Sequence, residues 1–240
     1  MDKQITFTLI SSDTPLNKRF RQDGTKENRG QMYAGKYKQI QVGTVEKLIN
    51  GFSRFKENQA ITLGMTEKLE GLIATNSKAS GDVIARTKQY FSFAAEAFLL
   101  LDYDPSPAGF LIEMPEQYAE ILREIDPALI MCDIGICYSS SYGIMKDGEL
   151  ISNKKSMHAY IAVENASDKK VIQYRDYLVS SAWAKGYGHI ELSSSGSVMR
   201  RQVFDAAVFS PERLIFEAAP TLEAGITRLE TKYYIFKGKK

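Results

Sequence analysis

Two hundred and forty residues leave room for one large domain or two small interlocked ones. With 44% apolar, 25% charged and 11% aromatic residues the chain can bury a core, which excludes a disordered segment, a collagen-like fibre and a disulfide-stapled miniprotein. A net charge of +2 excludes a wholesale polybasic binder and confines any nucleic-acid surface to a local patch.

Residues 1–10 read as a strand, without the basic start and longer apolar run of a signal peptide. Residues 11–43 are polar and turn-rich. They carry a basic cluster of Lys18, Arg19, Arg21, Lys26, Arg29, Lys36 and Lys38, either a solvated face or a set of phosphate contacts. Thr44 reads as the N-cap of a helix with Val45, Leu48, Ile49, Phe52 and Phe55 at helical spacing. A strand is expected at residues 60–63, and helix with an intervening loop over 66–95. The apolar run at residues 97–103 reads as a buried strand that stops at Pro105-Ser106-Pro107.

Pro115 opens a helix carrying Tyr118, Ile121, Leu122 and Ile125, closed by Asp126-Pro127. Apolar segments follow at 128–136 and 157–163, separated by a serine-rich loop. Asp168 is expected to cap a third helix bearing Val171, Tyr174, Leu178 and Ala182 on one face and ending at Gly186. Strands at 187–192 and 202–209 flank a Ser-Ser-Ser-Gly-Ser turn, and a C-terminal segment ends in residues 233–236. This order predicts an α+β (mixed α/β) fold, too irregular for a doubly wound sheet.

No apolar run approaches the roughly 18 residues that span a bilayer, so no membrane contact is expected. Cys132 and Cys137 read as two buried thiols in a reducing cytoplasm. With His158 and His189 they make a poor zinc set, and no zinc is expected. His189 reads as structural.

Three segments carry the chemistry. Asp102 and Asp104 fall at i, i+2 on the strand at 97–103, which puts both carboxylates on one face roughly 7 Å apart. Either the strand simply runs into an Asp-Pro turn, or a hard divalent cation such as Mg²⁺ or Mn²⁺ offsets the mutual repulsion. Lys154, Ser156 and His158 repeat the same spacing ahead of an apolar strand. They are either two solvated positions and a histidine at a strand start, or a row able to hold the oxygens of a polyphosphate. Asp205 shares a face with Val203 and Ala207 in the expected strand at 202–209. Burial there calls for a metal or for an ion pair with Arg200, Arg201 or Arg213.

In order and context, Asp102-Tyr103-Asp104, Ser156-Met157-His158 and Asp205 resemble the three signature motifs of the archaeo-eukaryotic primase superfamily. Leu-Leu-Leu-Asp-Tyr-Asp-Pro is similar to the first motif of plasmid- and phage-type primase-polymerases. The run from Val203 to Leu214 is similar to their third motif and its extension. The resemblance covers roughly residues 60–220. It implies a primase-polymerase fold, with an N-terminal α/β part (about 1–95) joined to a motif-bearing core (96–220) built on an RRM-like sheet, then an extension (221–240). The active-site cleft would lie between the two parts.

By the same resemblance, Asp102, Asp104 and Asp205 would be catalytic and hold two ions of Mg²⁺ or Mn²⁺. His158, Ser156 and Lys154 would bind the triphosphate of an NTP or dNTP, and Arg213 would make a further nucleotide contact. The implied activity is that of a DNA primase or primase-polymerase, a nucleotidyltransferase acting on a single-stranded DNA template or primer in replication of a plasmid, phage or other mobile element. No Gly-x-x-x-x-Gly-Lys-[Ser/Thr] appears, so a replicative helicase would be a separate chain or a region beyond these residues. Two alternatives stand beside it: a non-catalytic DNA-binding replication initiator of the same fold, and a metal-dependent phosphodiesterase.

Overall fold

The computed structural model of the chain describes residues 4–239. The first half contains β1 (Ile5–Ser12), β2 (Lys18–Phe20), β3 (Lys26–Asn28), β4 (Ala34–Val42), α1 (Val45–Gly51), β5 (Gln59–Thr62), β6 (Glu70–Ala74) and β7 (Val83–Ala85). The second half continues with β8 (Ala97–Tyr103), α2 (Pro115–Ile125), β9 (Ile134–Tyr138), β10 (Ile144–Lys146), β11 (Glu149–Ser152), β12 (Met157–Val163) and α3 (Asp168–Ala184). It ends with β13 (Gly188–Leu192), β14 (Val198–Gln202), β15 (Thr221–Leu222), β16 (Ile226–Arg228) and β17 (Tyr233–Phe236). The architecture is mixed α+β, with several sheets and three α-helices among the described residues.

Two sheets form the body. A five-stranded sheet runs β5-β1-β4-β6-β7, and a four-stranded antiparallel sheet runs β17-β9-β12-β8. Six of the seven residues of β8 are buried, as a strand covered on both faces must be. Each fully buried Leu or Phe there contributes about 1.5–3 kcal/mol. On one face of this sheet Tyr103 packs its ring against Tyr118 of α2, with centroids 5.5 Å apart. On the other face α1 comes so close to β9 that a Cβ on Gly135 would stand 2.5 Å from Val45 Cγ1. Phe52, in the 3₁₀ turn that follows α1, packs on Tyr160 of the same face at 5.3 Å. Thr44 caps α1 as expected, its hydroxyl accepting from the Lys47 N–H at 3.1 Å.

Several expectations are corrected. The polar stretch 11–43 includes the nine-residue strand β4, which buries Gly35 and Tyr37 while Lys36 and Lys38 stay in water. Residues 66–95 form no α-helix; β6, β7 and a 3₁₀ turn replace it. Gly71 disfavours helix, and it lies so tightly on Tyr37 of β4 that an added Cβ would stand 2.8 Å from the phenol oxygen. Segment 128–136 divides into a 3₁₀ turn (Pro127–Met131) and β9. Ser167 rather than Asp168 caps α3; the Asp168 carboxylate instead accepts from the Phe93 N–H at 2.8 Å.

The expected strand at 202–209 is also absent. Pairing ends at Gln202, and Asp205 caps a 3₁₀ turn (Ala206–Val208) by accepting from the Ala207 N–H at 2.9 Å. Aspartate competes with strand pairing through such local bonds. Val203, Phe204, Val208 and Phe209 still reach the core, but not by alternation.

Candidate functional site

Strand register assembles the centre of the site. On β12, His158 stands opposite Asp102 of β8 and opposite Cys137 of β9, so the three side chains form a row across one face. Tyr160 occupies the next row, between Leu100 and Gly135. One step beyond the strand ends, Ser156 donates its hydroxyl proton to Asp104, and Lys154 reaches the same carboxylate at 3.1 Å. Asp205 arrives from the distant turn, its N–H bound to the Asp102 carbonyl at 2.8 Å.

The electrostatics are strongly coupled. Burial pushes the Asp102 carboxyl up; the nearby His158 opposes that rise, while the Asp104 and Asp205 carboxylates add to it. Asp104, which is exposed, lies below its usual range because the Ser156 hydroxyl and the Lys154 ammonium outweigh partial desolvation. Burial alone would lower His158, but the Glu217 and Asp102 carboxylates overcome it and raise the imidazole to about 9. Its Nδ1 lies 2.5 Å from Glu217 Oε1 and its Nε2 lies 3.4 Å from Asp102 Oδ1.

Two cavities meet at this row and share Asp102, Asp104 and Lys154 as the ridge between them. The larger, of about 660 Å³, is walled by Arg175 and Trp183 of α3, by His189, Arg200 and Arg201 of the β13–β14 hairpin, and by Asp205. The Arg200 guanidinium lies over the Trp183 ring at 4.7 Å. The indole Nε1 and His189 Nε2 are buried without a hydrogen-bond partner among the described residues. His189, expected to be merely structural, is therefore part of a cleft wall.

The smaller cavity, of about 320 Å³, holds His158, Ser156, Arg213, Lys18, Lys26 and the Ser139–Ser141 run. Lys18 donates to Ser141 Oγ at 2.7 Å, and its ammonium is pushed down by burial and by the neighbouring Lys26. Ser139 Oγ is buried there with no partner among the described residues. Packed ammonium groups and an unsatisfied hydroxyl favour an anion in this chamber.

All seven residues singled out in the sequence thus line these two adjoining cavities: Asp102, Asp104 and Lys154 on the ridge, Asp205 in the larger chamber, and Ser156, His158 and Arg213 in the smaller. The ion pair considered for Asp205 does not form among the described residues. Arg201 pairs with Glu191 at 3.4 Å, Arg200 caps the indole, and a half-exposed Asp205 needs no counter-ion. Glu217 was missed, although an acid flanked by Leu214, Ile215, Phe216 and Ala218 carries the same signal that drew attention to Asp205. Among the described residues, the set whose ligand atoms lie close enough together to hold a metal, within 4.8 Å of one another, is Cys137, His158 and Glu217. Comparison with family models, curated proteins and solved structures finds no match to this chain.

Proposed function

We propose that the chain is a template-directed nucleotidyltransferase of the archaeo-eukaryotic primase kind, extending nucleic acid in the larger chamber with a nucleoside triphosphate held in the smaller. The observation that carries this reading is the ridge itself. Asp102 and Asp104 from the end of β8, with Asp205 from a second segment beside them, stand between one chamber walled by arginines and an indole and another lined by lysines and hydroxyls. A nucleotidyl transfer needs those two substrates on opposite sides of one metal-binding row.

The donor set suits hard divalent ions, since it is all carboxylate and the Asp102 charge is disfavoured first by burial and then by Asp104 and Asp205. Asp102, Asp104 and Asp205 would hold Mg²⁺ or Mn²⁺, which would supply Lewis acidity to the attacking hydroxyl and neutralise charge on the leaving pyrophosphate. Lys18, Lys26, Lys154 and Arg213 draw the triphosphate into the smaller chamber. A doubly protonated His158 donates a hydrogen bond to its oxygens, and Ser156 holds the Asp104 carboxylate beside it. On the other side Arg200 would meet backbone phosphates, joined by Arg175 and Arg201 as these leave Asp176 and Glu191, and Trp183 offers a ring beside them.

The test is incorporation of labelled nucleotides on a primed single-stranded DNA with Mg²⁺ or Mn²⁺. Wild-type protein incorporates, chelation abolishes it, and an Asp102→Ala, Asp104→Ala double variant is inactive while still folded. Full activity of that variant would remove the proposed metal site. Nuclease activity without incorporation would reassign the same carboxylates to hydrolysis.

A further inference from the structure

Behind His158 lies a buried acid to which the reaction as described assigns no role. The segment bearing it is fixed by reciprocal backbone bonds between Ile61 of β5 and Ile215, at 3.0 and 2.8 Å. Those bonds tie it to the edge strand of the five-stranded sheet and bring Glu217, two residues on, against the site face of the other sheet. There its side chain is 5% exposed. Oε1 faces His158 Nδ1 at 2.5 Å and also accepts the Tyr160 hydroxyl proton; Oε2 lies 3.8 Å from Cys137 Sγ. No lysine or arginine pairs with it among the described residues. A carboxylate this deep is tolerated because side chains from two neighbouring strands direct donors at it.

We propose that Glu217 is a positioning residue for nucleotide binding: by accepting from His158 Nδ1–H, with Tyr160 bracing the same oxygen, it fixes the ring so that Nε2–H faces the triphosphate chamber. This rests on the nucleotidyl-transfer reading of that chamber. The arrangement is a carboxylate–histidine pair, in which the acid chooses the protonated nitrogen and the ring orientation. A neutral imidazole free to rotate would present a lone pair to phosphate as readily as a proton, and so would repel what it should hold. Burial and the Glu217 carboxylate push the Cys137 thiol well up.

The test compares Glu217→Gln, Tyr160→Phe and His158→Ala with wild type, using binding of a nucleoside triphosphate as the readout alongside steady-state incorporation. Glu217→Gln keeps the shape and loses the charge. It is expected to weaken triphosphate binding and raise KM about 10-fold or more, with a smaller change in kcat, and Tyr160→Phe is expected to do the same more mildly. If His158→Ala weakens binding and Glu217→Gln does not, the positioning role is wrong and the nucleotidyl-transfer reading stands. If neither wild type nor variants bind triphosphate, that reading fails, and the pair is judged on its own by ¹⁵N-histidine NMR. A deshielded Nδ1–H on His158 that Glu217→Gln shifts upfield supports the pairing, and its absence in wild type overturns it. Stoichiometric zinc in the purified protein, lost on Cys137→Ser, would also overturn it by making Glu217 a metal ligand.

Discussion

Gly188→Ala tests whether the arginine wall of the larger chamber is held in place by contact between the β13–β14 hairpin and α3. Gly188 has a φ outside the left-handed region, so the backbone accepts alanine and strain comes from contact alone. The new Cβ would stand 2.4, 2.6 and 2.7 Å from Trp183 Cδ2, Cε2 and Cγ, where ordinary contact begins at 3.4 Å. A rigid indole must therefore withdraw by about 1 Å, and Arg200, stacked on it at 4.7 Å, must follow or lose its ring. Overpacking of this kind costs about 1–3 kcal/mol. Taking 2 kcal/mol, a chain of this size melts about 4–8 °C lower. Displacement of the indole and its arginine should weaken single-stranded DNA binding roughly 5–30-fold, the equivalent of about 1–2 kcal/mol. Thermal denaturation and fluorescence anisotropy of a labelled oligonucleotide at fixed salt read both effects. Adding Trp183→Leu makes room for the methyl group and should restore Tm without restoring affinity, a non-additivity expected of residues in contact. Unchanged Tm and affinity in Gly188→Ala would refute the packing of hairpin on helix and with it the nucleic-acid role proposed for that wall.

In the metal-free protein the His158 imidazole should titrate near 9 by NMR, and saturating Mg²⁺ should lower that value as a cation comes to the Asp102 side. Because the folded value lies above the unfolded one near 6.5, the stability this group contributes is complete below pH 6.5 and disappears as pH rises through 9. A His158→Gln variant should lose less stability across that window. Lys18→Ala removes an ammonium from the smaller chamber and should weaken triphosphate binding several-fold, with a shallower salt dependence by titration calorimetry. Tyr174→Phe deletes the hydroxyl that donates to Asp126 Oδ2 at 2.6 Å, leaving a carboxylate in a residue only 5% exposed short of a partner. It should cost about 1–3 kcal/mol in urea unfolding while leaving incorporation intact.

Where local signals decide structure, the sequence is transparent. The apolar run of β8, the Pro115 start of α2 and the Thr44 cap all fall where composition and capping chemistry put them. Legibility fails where a partner far along the chain decides. Residues 70–74 become a strand because β4 offers an edge, and β4 emerges from a stretch whose lysines mask its alternation of buried Gly35 and Tyr37. Asp205 lines the larger chamber as part of a turn and not of the expected strand, since a side chain that caps its own turn leaves apolar neighbours looking like a strand. Glu217 was hidden for a different reason: its meaning lies in His158 and Tyr160, nearly sixty residues away.

The pairing of β12 with β8 has a consequence for how any preparation of this protein behaves. Side chains alternate faces along a strand, so a slip of one residue would carry His158 and Tyr160 to the face covered by α2 and bring Met157 and Ala159 out toward the cleft. A molecule paired one step out would not be sluggish; it would have no site at all. Under the proposed nucleotidyl-transfer reading, specific activity would then be a head-count of correctly aligned chains, and a variant that halves it by disturbing alignment would leave KM untouched in the survivors.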